Sequence, residues 1–260
     1  VSLLWPKSLH IGLFPGHIWL QNRRINVEHP FTMEPLRVEQ QILDVLTELI
    51  HAHKDQIDLK SRVTFSVSDR FAAIVQLPWK EQLFRQEEVR NFAQICFEKQ
   101  HQVIDEDWLM HAEFARYGNA GLAYAFRQVW LGQLQALCEQ QQLIFERIMP
   151  MTARVYFGNQ PRVRSGKQLI VLSEPSRISS IVLNGREMVG LDVEPVSQSF
   201  ESSVVRLVKR TYALHEDSRQ INCWAVDNDS QKRTWTAIKQ ALPELTIQTL
   251  NRQFQIVPHQ

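Results

Sequence analysis

The chain has 260 residues, 44% hydrophobic and 22% charged, with 29 basic against 28 acidic side chains and a net charge near +1. Such a composition suits a globular protein with one large core or two modest ones. The charge balance gives no general attraction to nucleic acid or to an anionic membrane. Cys96, Cys138 and Cys223 are widely spaced and form no CxxC pair or zinc-spaced cluster, which argues against a disulfide framework or structural metal and for a reducing compartment. No apolar run approaches the roughly 18 residues of a membrane-spanning helix. The opening VSLLWPKSLHIGLF has neither a basic n-region nor a long h-region, so neither secretion nor membrane insertion is expected.

Ser8–Phe14 and His17–Gln21 read as strands joined by Pro15-Gly16, with a third strand at Ile25–Glu28. Glu34–Gln56 carries Leu36, Ile42, Leu43, Leu46, Leu49 and Ile50 at helical spacing, and Pro35 is tolerated in a first turn. One amphipathic helix packed on the first sheet is expected there. Arg62–Val67 alternates as a strand, Ser68-Asp69-Arg70 follows, and Phe71–Leu77 completes an expected strand pair ended by Pro78-Trp79. Glu81–Gln102 returns to helical periodicity through Phe84, Val89, Phe92, Ala93, Ile95, Cys96 and Phe97. Trp108–Tyr117 and Leu122–Phe126 read as strands around a Gly118–Gly121 turn, although WLMHAEFARY also fits a helix. Val129–Gln142 is helical, and Leu143–Met149 is a buried strand closed by Pro150.

Thr152–Lys167 holds Arg154, Arg162, Arg164 and Lys167 without an acid, and Gly158, Pro161 and Gly166 mark it as loop-rich. A lobe boundary belongs near here, giving a first lobe over 1–150, with an inserted subdomain at about 102–128, and a second over 151–260. Gln168–Leu191 then supplies a strand, a polar loop and a hairpin at Asn184-Gly185, a dipeptide that calls for φ > 0 at both turn residues. Val196–His215 is a helix, Ile221–Val226 a strand, Ser230–Leu242 a helix capped by Ser230 and stopped by Pro243, and Thr246–Leu250 a last strand. The second half therefore runs three strands, helix, strand, helix, strand. Its opening repeats that of the first half, so the expected class is α/β, an internally repeated, two-lobed fold with mixed sheets flanked by helices.

Enzyme motifs fare poorly. Ser68 and Asp69 are adjacent residues that point to opposite faces of an extended chain, and no GxSxG elbow is present, which favours a strand-end turn. Ser165-Gly166-Lys167 lacks a phosphate loop's upstream glycine at the right distance and has Gln168 in place of Ser/Thr. His51 and His53 diverge on a helix, and His10 and His17, which a hairpin brings together, have no nearby Cys or acid. The basic residues Arg154, Arg162, Arg164 and Lys167 suit the phosphates of nucleic acid or anionic lipid, or else a solvated loop.

Leu9-His10-Ile11-Gly12 before the first hairpin, Val67-Ser68-Asp69-Arg70-Phe71 with Leu77-Pro78-Trp79 before a long helix, and Ile170–Leu183 with Asn184-Gly185 occur in an order that resembles the actin-like (ribonuclease H-like) fold. Within that fold the layout is most similar to the bacterial assembly-platform family, that of the type IV pilus protein PilM and the cytoplasmic L subunit of type II secretion. The likeness of layout covers nearly the whole chain; likeness of sequence does not. Actin-like ATPases carry an Asp-x-Gly pattern after the first strand of each lobe, whose carboxylates organise Mg²⁺ and water. Here His10-Ile11-Gly12 stands in the first lobe and Val171-Leu172-Ser173-Glu174-Pro175 in the second, and INCWAVDND, with bulky Trp224, replaces the Gly-Gly turn that admits adenine.

The resemblance thus implies a degenerate member with no cofactor and no catalysis: a cytoplasmic scaffold, peripheral to the inner membrane through a protein partner. That partner would be a bitopic membrane protein whose short cytoplasmic segment docks in a first-lobe groove near Arg62–Leu77 and the following helix. Arg70 would hold a peptide carboxylate or carbonyl, beside Phe71, Trp79 and Phe84. The alternatives are ATP with Mg²⁺ bound at an atypical site using His10, Gly12, Ser173 and Glu174, or a nucleic-acid-binding module built on the basic stretch.

Overall fold

The computed structural model describes residues 7–34, 36–83, 85–159, 167–174, 176–185, 187–197, 199–214, 220–225, 228–243 and 246–250. Its elements run β1 (Ser8–Phe14), β2 (His17–Gln21), β3 (Asn26–Pro30), α1 (Val38–Ala52), β4 (Arg62–Val67), β5 (Ala72–Leu77), α2 (Gln86–Lys99), β6 (Trp108–Phe114), β7 (Gly121–Arg127), α3 (Gln128–Gln140), β8 (Ile144–Pro150) and α4 (Met151–Asn159). They continue through β9 (Lys167–Glu174), β10 (Arg177–Asn184), β11 (Glu187–Pro195), α5 (Phe200–Leu214), β12 (Gln220–Ala225), α6 (Asn228–Ala241) and β13 (Thr246–Thr249). The chain divides into two compact units. The first takes the residues up to Ala73 with Val103–Met110 and Ala125–Met151; the second takes Ile74–Gln102, His111–Tyr124 and the residues from Thr152 onward.

One five-stranded sheet, ordered β3-β2-β1-β4-β8, lies in the first unit. β1 pairs antiparallel with β2 and parallel with β4, and β4 pairs parallel with β8. Alternation places Leu9, Ile11 and Leu13 of β1 on one face beside Val63, Phe65 and Val67 of β4, all fully buried. α1 contributes Val38, Ile42, Leu43, Leu46, Leu49 and Ile50 to the core, and α3 contributes Trp130, Leu131, Leu134, Leu137 and Cys138. Each such side chain adds about 1.5–3 kcal/mol on burial.

The second unit repeats the plan as a sheet ordered β11-β10-β9-β12-β13. Leu169, Val171, Ile178, Val182, Ile221 and Cys223 join Phe200, Val204, Leu207 and Val208 of α5 and Ala237 and Ile238 of α6 in one core. Between β4 and α3 the first half carries the extra segment Ser68–Arg127, which builds a three-stranded sheet ordered β5-β7-β6 and α2.

The fold class and the repeat match the sequence expectation; several local readings do not. α1 begins at Val38, not Glu34, and Leu36 is 99% exposed. β4 and β5 are not a pair, because β4 lies between β1 and β8 while β5 lies beside β7. α2 starts only after Arg85, whose backbone N–H donates to Glu88 Oε2 at 3.0 Å and so fixes the first turn. β8 is an edge strand with Ile144, Glu146 and Arg147 exposed, not a buried one. Residues 151–159, read as loop, form a helix that buries Met151, Ala153, Val155 and Tyr156, with the Tyr156 hydroxyl donating to the Ala120 carbonyl at 2.7 Å. α5 starts at Phe200, not Val196, because the Ser199 side chain accepts from the Ser202 N–H at 3.1 Å. α6 begins at Asn228, so Ser230 sits inside its first turn and is not the cap. Asn184 pairs with Glu187 as the last residue of β10, so the hairpin turn is Gly185-Arg186, with only Gly185 of that dipeptide described and at φ +59°.

The second unit is pinned by ion pairs between α5 and β11. Glu194, nearly buried, accepts from Arg206 Nε at 2.6 Å and Arg210 Nη1 at 2.9 Å, while Arg210 Nε donates to Asp192 at 2.7 Å. Burial pushes the Glu194 carboxyl up, but the two guanidinium hydrogen bonds and charges outweigh it and hold the group below its ordinary value near 4.5. A carboxyl lowered on folding contributes stability that is present above its unfolded value and lost as pH falls through the folded one. Acid unfolding of the second unit is therefore expected to begin below about pH 4.5, and Glu194→Gln should lower stability at pH 7 by about 1–3 kcal/mol and flatten the acid limb. Urea titrations followed across pH 3–7 check this, and an unchanged acid limb in the variant would falsify the assignment.

Candidate functional site

The expected nucleotide-facing residues sit where each unit's first strand turns. Pro15-Gly16 joins β1 to β2 with Phe14 opposite His17, Gly16 takes φ +77°, and its carbonyl accepts from the Phe31 N–H at 2.9 Å. Counting back across this register places Gly12 opposite Trp19 on one face. A Cβ on Gly12 would lie inside the Trp19 indole, and Trp19 is itself buried. The backbone approach that glycine permits is thus taken up by an indole. His10 is half-buried on that same face, beside Thr64 and Ser66 one strand over. His17, buried on β2, has Nε2 3.8 Å from Glu28 Oε2, an acid that sequence spacing did not place near it.

In the second unit Glu174 stands opposite Arg177, so Pro175-Ser176 is the matching two-residue connection. The same count aligns His10 with Ile170, Gly12 with Leu172 and Ser173 with Leu13. Ile170 and Leu172 are fully buried. Ser173 faces the helices: it accepts a hydrogen bond from the Thr234 hydroxyl of α6 at 3.0 Å, with both residues fully buried. Glu174 is also fully buried. On β12, Asn222 is fully buried with neither amide atom hydrogen-bonded, and the Trp224 side chain lies outside the described residues.

Other sequence candidates are dispersed. Arg154 lies half-buried in α4 and Lys167 opens β9, while Arg162 and Arg164 lie outside the described residues. Ser68 is buried and accepts from the Arg70 N–H at 3.1 Å, and Asp69 is buried, so this tripeptide is the turn that ends β4. Among the described residues no cluster of three or more His, Cys, Asp and Glu side chains is placed to hold a metal. The three cysteines are free and buried; burial pushes the Cys138 thiol up to about 12.

Of the four partner-binding candidates, Arg70 is exposed with Nη1 3.9 Å from Met33 Sδ, and Phe71 is buried with its ring 5.1 Å from Trp130. Phe84 lies outside the described residues. Trp79 is half-buried and forms the centre of a group the sequence reading missed. Its ring meets Phe114 and Tyr117 edge-on, each at 5.0 Å between centroids. Tyr117 is 74% exposed, and its hydroxyl donates to Glu81 Oε1 at 3.0 Å. Gly118, at φ +82°, turns the chain after Tyr117, and Gly121 admits Phe114, whose Cα would lie 2.9 Å from a Cβ there. Phe114 and Tyr117 flank the end of β6, and that three-residue spacing before Gly118 was the available signal.

Comparison with solved structures decides the fold. One match is a protein of unknown function with an actin-like ATPase fold from Bacteroides thetaiotaomicron, at TM-score 0.62 and 12% identity over 93% of this chain and 90% of that one. The fold is actin-like. The PilM-PilN type IV pilus biogenesis complex matches at TM-score 0.66 and 8% identity, covering 94% and 88% of the two chains. The cytoplasmic domain of EpsL, an inner membrane component of the type II secretion system of Vibrio cholerae, matches at TM-score 0.52 and 10% identity over 84% and 82%. No family model matches the chain, and no curated protein matches it in sequence. By the register compared above, the second-unit counterpart of His10 is Ile170, whereas the sequence expectation sets Ser173 there.

The Gly12–Trp19 contact has a measurable signature. Gly12→Ala should cost about 1–3 kcal/mol through overpacking, and Trp19→Ala about 3–5 kcal/mol through the cavity it leaves. In the double variant the clash is gone, so the Gly12→Ala cost should fall to less than half. Additive losses in urea unfolding would mean that the indole does not occupy the space above Gly12.

Proposed function

We propose that this chain is a non-catalytic scaffold that docks the cytoplasmic segment of an inner-membrane partner in a pilus or secretion-type assembly, working at the cytoplasmic face of that membrane. One observation carries the reading: the positions through which an actin-like ATPase would meet Mg²⁺ and phosphate are spent on packing. Gly12 is closed over by Trp19, Ser173 is bonded to Thr234 in the helix layer, and Glu174 is fully buried. A carboxylate committed to the interior has no direct path to a solvated metal ion. Support for the partner class comes from the fold likeness to a PilM-PilN complex and to an EpsL cytoplasmic domain. Among the described residues no helix is long and apolar enough to cross a membrane. The reading assigns membrane association to the partner.

Docking by a preformed surface needs exposed apolar groups held in place before binding, since ordering a disordered tail already costs free energy. The Trp79–Phe114–Tyr117 group provides them, with Tyr117 tethered through Glu81. Calorimetric titration with Mg²⁺-ATP is expected to give no binding heat at micromolar affinity. The synthetic cytoplasmic segment of a single-pass protein retained from the inner membrane of the source cell should bind, and Tyr117→Ala should weaken it about tenfold. Micromolar ATP binding, or full affinity for the segment in the variant, overturns the reading.

A further inference from the structure

The second sheet ends on β11, nine residues long, which pairs with β10 and among the described residues has no strand on its other side. A strand so placed offers a row of unpaired N–H and C=O groups to any other extended chain. The Val193 N–H shows which residues form that row: it donates to Asp192 Oδ1 at 2.9 Å and so points away from β10. Backbone direction alternates along an antiparallel pair, so Leu191 and Pro195 face outward together with Val193. Pro195 has no N–H, which leaves Leu191 and Val193 as the donors of this stretch. Val189 and Val193 are exposed, with Leu191 half-buried between them.

That row is self-complementary. Two copies laid antiparallel about a two-fold axis at Leu191 would set Leu191 against its equivalent and Val193 against Val189, apolar against apolar. Three features oppose the pairing. The β10–β11 register shifts so that Val182 faces Gly190 and Leu183 faces Met188, which leaves Val189 without a partner in a bulge that bends the edge. Asp192 holds the Val193 N–H through one carboxylate oxygen and accepts from Arg210 Nε at 2.7 Å through the other, so α5 fixes the carboxylate in place. Gln76, on β5 at the edge of the three-stranded sheet, donates from Nε2 to the Met188 carbonyl at 2.7 Å. Gln76 and Met188 both belong to the second unit. Two sheet edges thus meet through a side chain and not through a backbone ladder.

We propose that Gln76 and Asp192 cap the edge of the second sheet and keep β11 from pairing with β11 of a second copy of this chain. The caps act whether or not the chain docks a partner. Amide hydrogen exchange at Leu191 and Val193, measured on the whole chain over about a hundredfold range of concentration, tests this. In the unsubstituted chain the exchange of both amides should not depend on concentration. Gln76→Ala leaves every α5–β11 ion pair in place, and its Leu191 amide should exchange about threefold more slowly at the highest concentration than at the lowest. In Gln76→Ala with Asp192→Ala both amides should slow about tenfold. Adding Leu191→Lys to that double variant sets like charges opposite each other at the axis and should abolish the dependence. Concentration-independent exchange in Gln76→Ala overturns the proposal, as does concentration-dependent protection of these amides in the unsubstituted chain. A dependence that survives Leu191→Lys puts the contact elsewhere and overturns it too.

Discussion

A strand without a side chain at one position allows the first sheet to close. Gly12 in β1 lets Trp19 lie against the backbone, and β1 is the strand on which the sheet is built, with β2 on one side and β4 on the other. Leu9, Ile11 and Leu13 bury the opposite face, so β1 is packed on both sides around Gly12. A phosphate-binding strand needs the reverse arrangement: glycine left bare so that an anion can approach the amides. The same residue type serves either purpose, and the indole decides which.

The second unit reaches the same strand order with different chemistry. Its counterparts of His10 and Gly12 are Ile170 and Leu172, both apolar and buried, so no cross-strand aromatic is needed there. Polar groups appear on the helix side instead, where Ser180 meets the Thr211 hydroxyl at 3.0 Å and Ser173 meets Thr234. Buried hydroxyl pairs of this kind fix the rotation of α5 and α6 on the sheet, because an unpaired hydroxyl in that layer costs about 1–3 kcal/mol. The Glu194 network does the same at the edge of the sheet, from the outer end of α5. Two lobes of one topology are thus held by unlike interactions, consistent with a topology specified mainly by apolar alternation and turn geometry.

That is also why the repeat was legible in the sequence and much of the surrounding detail was not. Period-2 runs and two-residue turns are local, and they located the strands of both five-stranded sheets to within about two residues, except that β11 runs on to Pro195, four residues past the expected end at Leu191. Pairing partners are not local: Phe71–Leu77 has the same pattern whether it lies beside β4 or, as it does, beside β7. Gly158 and Pro161 gave residues 152–167 the composition of a loop, but the burial of Ala153, Val155 and Tyr156 outweighs the weak helix propensity of 151–159. Leu36 fitted a helical face by spacing and lies before the helix begins. The contact of Gly12 with Trp19 was in reach, since counting outward from Pro15-Gly16 pairs the two residues directly.

The surface site divides in the same way. Trp79 stood out in the sequence because a tryptophan after a proline ends a strand conspicuously, whereas Phe114 and Tyr117 looked like ordinary strand residues. What joins the three is the reversal at Gly118 and the close passage at Gly121, both set by backbone conformation and neither by hydrophobic pattern. The segment that carries the group, Ser68–Arg127, falls where the second half has only a short connection between β12 and α6. A repeat that needs no such segment to close one sheet has no folding requirement for it in the other.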